Sequence, residues 1–150
     1  MSLALAIAAR ARLTAEALRS GSPLAHWCAA NGALTYPLEY RRPTGAEGWP
    51  FVAIQPLRDR RDLRSGRGEM AEIGLVCGYR MAKVSKEGDA GIGTVDALAE
   101  AVLAALALPW TAGWAGWDWD ARTGERVEGV FSHPLYEIEL AVTLGIVGRG

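Results

Sequence analysis

Residues 73–81 read Ile-Gly-Leu-Val-Cys-Gly-Tyr-Arg-Met, and this stretch decides the fold. Ile73, Leu75, Cys77, Tyr79 and Met81 recur at every second position, while Glu72, Gly74, Gly78 and Arg80 fall between them. A period of two is the mark of a strand with one face buried. Downstream, Thr94 stands as a cap before Val95, Leu98, Ala99, Val102, Leu103 and Leu106. That spacing draws one apolar stripe along a helix, with Asp96 in its first turn against the helix dipole and Pro109 as its stop. Near the C-terminus, Tyr136, Ile138, Leu140, Val142, Leu144 and Ile146 alternate with Glu137, Glu139 and Thr143. This predicts a long strand with Glu137 and Glu139 on its wet face.

Working outward, Ser2 caps a helix over residues 3–19, and Thr14 offers a second cap with Leu13 and Leu18 as a hydrophobic staple. Ser22-Pro23 starts a short helix that ends at Asn31-Gly32. Residues 33–40 read as an edge strand, because Pro37 lacks the N–H that an inner strand needs. A short strand over 51–54 lies between Pro50 and Pro56, and a polar loop runs to Gly68. Lys83 to Gly93 reads as a further loop. Arg122-Thr123-Gly124 reads as a hairpin turn before a strand over 127–131. The expected fold is α+β: one domain spanning 1–150, with two main helices packed on one face of a mostly antiparallel β-sheet.

Composition narrows the function classes. The 150 residues are 50% hydrophobic and 22% charged with a net charge of -1, which excludes a disordered chain and a bulk polyanion binder. The N-terminal apolar stretch precedes Arg10 and Arg12, the reverse of a secretory signal. The longest apolar run, 101–110, falls short of the roughly 18 residues of a membrane span, so no membrane partner is expected. Cys28 and Cys77 stand apart without a CxxC spacing, as buried thiols in a reducing cytosol do.

No motif carries chemistry. Gly91-Ile92-Gly93-Thr94 lacks the third glycine of a dinucleotide loop and no strand leads directly into it. Asp118, Asp120 and Glu125 miss the calcium-loop spacing, with Thr123 and Gly129 where Gly and Glu should stand. His26, Cys28, Cys77 and His133 lack paired zinc spacing, and no serine sits in a nucleophile elbow. No catalytic residue, metal or cofactor is therefore expected. Two clusters remain. Arg58, Arg60, Arg61, Arg64 and Arg67 crowd one loop, interleaved with Asp59 and Asp62. They suit phosphates, an acidic protein surface or solvent. Trp110, Trp114, Trp117 and Trp119, spaced by Gly113 and Gly116, suit an interface, a ligand groove or a cover for the core edge.

The order of features resembles the tail-terminator (tail-completion) proteins of long-tailed phages, phage-like particles and gene transfer agents. The resemblance rests on several short segments in order. An Ala/Leu/Arg-rich N-terminal helix leads to Thr35-Tyr36-Pro37, then to Trp49-Pro50-Phe51-Val52-Ala53-Ile54. A polar loop closing in Ser65-Gly66-Arg67-Gly68-Glu69 leads into the alternating strand, the helix after it, and a final His-Pro-Leu-Tyr-Glu-Ile-Glu-Leu-Ala-Val strand from His133. The tryptophan segment and the five arginines lie outside the pattern. The resemblance implies a non-catalytic virion component, a homo-oligomeric, hexameric ring that caps the tail tube and joins it to the head connector. It would be assembled in the bacterial cytoplasm and would reside in the tail of the particle. In that setting the loop over 57–68 would project toward the lumen or tube, where arginines could line a passage for DNA without reading its sequence. Two other readings stay open: a small-ligand or enzymatic domain using the Trp/Gly segment, and another head–tail connector (neck) protein.

Overall fold

A computed structural model describes residues 2–61, 69–81, 90–107, 110–111 and 117–148. The elements in order are helix α1 (Ser2–Leu18), helix α2 (Pro23–Asn31), strand β1 (Phe51–Arg61), strand β2 (Glu69–Arg80), helix α3 (Ala90–Ala107), strand β3 (Trp110–Thr111), strand β4 (Trp117–Ser132) and strand β5 (Leu135–Gly148). The strands form one sheet in the order β1-β2-β5-β4-β3, antiparallel at every step. The fold is thus α+β, with the two main helices, α1 and α3, packed against an antiparallel sheet as expected and the short α2 packed on both of them.

Alternation delivers the core. Ile73, Leu75 and Cys77 of β2 are fully buried, as are Leu140 of β5 and Val52 and Ile54 of β1. Against them lie Val95, Leu98, Ala99 and Val102 of α3 and Leu5, Ala6, Ala9 and Leu13 of α1. Ala6 and Ala9 present almost no bulk, which lets α1 approach closely. The Arg12 guanidinium then donates from Nε to the Ala105 carbonyl at 3.0 Å, satisfying an end carbonyl of α3. Ser22 caps α2 as expected: its hydroxyl accepts from the Ala25 N–H at 3.0 Å and donates to the Glu16 carbonyl at 2.5 Å. Gly32 closes α2 with φ 115°.

Several expectations fail, each for a tertiary reason. α3 begins at Ala90, so Thr94 is not its cap; its hydroxyl donates back to the Ala90 carbonyl at 2.8 Å. Gly91 belongs to the first turn because the Tyr136 ring lies on it: a Cβ there would stand 2.1 Å from the ring. α3 also has the length and mean hydropathy, 1.6, of a membrane span, contrary to the reading from apolar runs. Its stripe is spent on the sheet, while its exposed side pairs Asp96 and Glu100 with Arg126 at 2.8 and 2.6 Å. Thr14 restarts nothing: α1 is unbroken, the Thr14 hydroxyl donates to the Arg10 carbonyl, and Leu18 is exposed. Arg122-Thr123-Gly124 is not a turn but part of continuous β4, with register irregularities beside it. Gly124 is needed because Leu103 of α3 presses on it, 2.6 Å from where a Cβ would sit. The hairpin turn falls instead at His133-Pro134, a cis peptide. Residues 33–40 form no strand. Thr35 makes a single parallel bridge to Phe51, and the Pro37 carbonyl accepts from the Ile54 N–H before the chain leaves the edge.

Candidate functional site

The helix-free face of the sheet and its two edges hold the features that the core does not explain. Register transfers across the strands in rows. Phe51 pairs with Gly78, Gly78 with Glu137, and Glu137 with Val130. Residues 33–50 cross this row. Tyr40 and Trp49 stack on Phe51 with ring centroids 6.2 and 4.8 Å apart. The Tyr40 hydroxyl donates to one Glu137 oxygen, and the Arg42 guanidinium pairs with the other. Glu137 is therefore no wet-face residue: it is 4% exposed, a correction forced by the segment that alternation could not foresee. Glu139, the next on that face, is exposed as expected. Burial, then the Glu137 carboxylate, pushes the Tyr40 hydroxyl pKa up; the same carboxylate holds Arg42 above its ordinary value. Burial pushes Tyr36 to about 12, with the Cys28 thiol adding to it. These contacts fasten residues 33–50 to the sheet.

Beside the clasp lies a small cleft of about 140 Å³ lined by Tyr40, Arg42, Val76, Glu128, Val130, Glu137 and Glu139. A larger open groove, about 850 Å³, runs between α2 and α3. Trp27 forms part of its wall and donates its indole N–H to the Thr94 carbonyl at 2.9 Å. His26, Asn31, Asp96 and Glu100 supply its polar rim. Among the described residues, no three His, Cys, Asp or Glu side chains converge as metal ligands. Cys77 is wholly buried and its thiol pushed up to about 12; Cys28 is half-buried and raised by burial too.

The two clusters singled out by sequence find definite places. Arg58, Arg60 and Arg61 lie within β1, paired with Glu72, Met70 and Glu69, so the expected loop from residue 57 is strand for its first part. Arg64 and Arg67 fall outside the described residues. Trp110 is in β3 and pairs with Trp119 of β4, while Trp117 opens β4. Trp114 falls outside the described residues. Following the register, Arg61 pairs with Glu69, Glu69 with Ile146, Ile146 with Trp119 and Trp119 with Trp110. Arginine and tryptophan clusters far apart in sequence thus end in one row, at opposite edges of one sheet end. Three strand spacings separate β1 from β4 there, about 14 Å. Sequence reasoning missed the Glu137 clasp altogether. The only available signal was Tyr40 and Arg42 beside prolines, which names no partner.

No protein-family profile matches the chain, and no curated protein matches its sequence.

Proposed function

We propose that this chain is a tail-terminator-like structural subunit that assembles as a ring on a tail tube and joins it to the head connector, without catalysis. The observation that supports it best is the row from Arg61 to Trp110, which gives one sheet end two chemically different edges. A ring needs two different patches on each subunit, because its contacts are heterologous. In this reading the arginines face the lumen or tube and meet passing DNA through its phosphates, and the protein resides in the tail of a phage-like particle. Light scattering on the purified chain, alone and with tail-tube subunits, tests the proposal. Formation of a closed oligomer, or capture of the chain by assembled tubes, is the expected result. A monomer that binds no tube refutes it.

The groove between α2 and α3 supports a second reading, a small-ligand site, which uses Trp27 rather than the Trp/Gly segment. A ligand screen followed by tryptophan fluorescence separates the two. A saturable shift lost in Trp27→Phe favours the ligand site.

A further inference from the structure

We infer that copies of this chain join head to tail, the outward face of α1 in one copy seating in the groove between α2 and α3 of the next. This deepens the assembly reading above and rests on it, not on the small-ligand reading of the same groove.

Helix α1 buries Leu5, Ala6, Ala9 and Leu13 and turns its opposite face to solvent. That face holds Ile7, Ala11, Thr14, Ala15 and Leu18, all exposed, Ile7 at 36% and Leu18 at 82%. An outward helix face ordinarily carries charge, and this one carries none. Large apolar side chains left in water along an uncharged helix face mark a surface that a partner covers. The groove has the converse shape. Gly93, Ala97, Ala101 and Ala104 of α3, with Ala30 of α2, line it with side chains no larger than a methyl group. The four on α3 stand at i, i+4, i+8 and i+11, and Ile7, Ala11, Ala15 and Leu18 of α1 stand at the same intervals. Rows of matching pitch interdigitate when helices pack. At 1.5 Å of rise per residue the stripe from Ile7 to Leu18 is about 17 Å long, and the groove lining from Ala90 to Ala104 is about 21 Å long.

Charge and position select a second copy as the occupant. Asp96 and Glu100 on the groove rim both pair with the one Arg126 guanidinium, at 2.8 and 2.6 Å, which leaves that rim with a surplus negative charge. Arg10 borders the α1 stripe, one turn from Ile7 and from Thr14, and no described carboxylate pairs with its guanidinium. With the stripe seated in a neighbour's groove, Arg10 would meet Asp96 and Glu100. Position agrees with charge. α1 packs over β1 and β2, whereas α3 packs over β2, β5 and β4, and Arg126 of β4 at the rim sets the groove toward that side. Stripe and groove are thus two different patches at different sides of the helix layer. A contact of one with the other is heterologous, so copies add head to tail, as a ring requires.

The test uses two surface variants of the full chain. One carries Ile7→Glu and Leu18→Gln on the stripe. The other carries Ala97→Arg and Ala104→Arg, which fill the groove and repel Arg10 from exposed positions. Circular dichroism melts confirm folding, and sedimentation velocity follows assembly over a concentration series, with and without tail-tube subunits. Each variant alone should stay monomeric where the wild type grows beyond a dimer. Mixed together they should form a heterodimer and nothing larger, since each keeps one working patch. Leu18→Ser alone should weaken wild-type assembly about tenfold or more. Arg10→Glu should weaken it too, while Arg10→Lys should not. A wild type that stays monomeric in both conditions, or stops at a dimer, overturns the head-to-tail contact, as does a mixture that yields no heterodimer. A groove that binds a small molecule while the copies stay monomeric overturns it in favour of the ligand reading. If both variants assemble and bind tube subunits like the wild type, the contact falls while the assembly reading stands. If the wild type neither self-associates nor binds tube subunits, the assembly reading falls as well.

Discussion

Replacing Gly78 by alanine tests how residues 33–50 are seated on the sheet. The Phe51 ring lies across Gly78, and an added Cβ would stand 2.3 Å from Cε1, 2.4 Å from Cζ and 2.8 Å from Cδ1. Carbon atoms rest at about 3.5–4.0 Å, so the ring must move by about 1 Å. It has little room. Phe51 is 1% exposed, with Trp49 at 4.8 Å and Tyr40 at 6.2 Å, and Tyr40 is tied to Glu137. Overpacking of this kind costs about 1–3 kcal/mol. The smaller loss of chain entropy offsets roughly 0.5–1 kcal/mol of it. A net loss of about 1–2 kcal/mol corresponds to a fall in Tm of roughly 2–8 °C for a domain of this size.

Urea unfolding followed by circular dichroism measures the effect, and two further variants make it specific. Gly93→Ala, where nothing lies within 4 Å of an added Cβ in helix α3, should stabilise by about 0.5–1 kcal/mol. In a Phe51→Leu background, the Gly78→Ala penalty should shrink by about 1 kcal/mol, because the ring that obstructs the Cβ is gone. The reasoning is refuted if Gly78→Ala stabilises like Gly93→Ala, or if its penalty is the same with Leu at position 51.

Ser22→Ala removes both the α2 cap and the bond to the Glu16 carbonyl, and should lower stability by about 1–2 kcal/mol in the same unfolding assay. Glu16 sits below its ordinary pKa of 4.5, mainly through its hydrogen bonds from Arg19, so its contribution is complete above that value and is lost as pH falls through the depressed folded pKa. The stability gap between wild type and Glu16→Gln should therefore close in acid, as urea midpoints along a pH series will show; a constant gap refutes it. Cys77, wholly buried with its thiol at about 12, should resist iodoacetamide in the folded protein while Cys28 reacts slowly, and both should react once the chain is unfolded. Peptide mass mapping distinguishes the sites.

Local rules carried far along this chain where one side chain's neighbours lie within a few residues. The Ser22-Pro23 start and Gly32 stop of α2 follow from caps and fixed φ values, and the alternation at 73–81 and 136–146 follows from the pleat. The same rules misplaced the start of α3 and broke β4 in two. Gly91 and Gly124 read as loop glycines, but each makes room for a bulky neighbour distant in sequence, Tyr136 and Leu103. Glu137 shows the limit most plainly: period two puts it on the face away from the helices, and only Tyr40 and Arg42, nearly a hundred positions away, make that face dry.

Sequence alone therefore determined the α+β class, the apolar faces and the clustering of arginine and tryptophan, because these depend on period and composition. Tertiary structure alone decided where those clusters stand. Strand order is set by long-range pairing, and it brings Arg61 and Trp119 into one row across four strands. Which edge stays open was likewise settled by packing: residues 33–50 close part of β1, while β3 covers only two residues of β4.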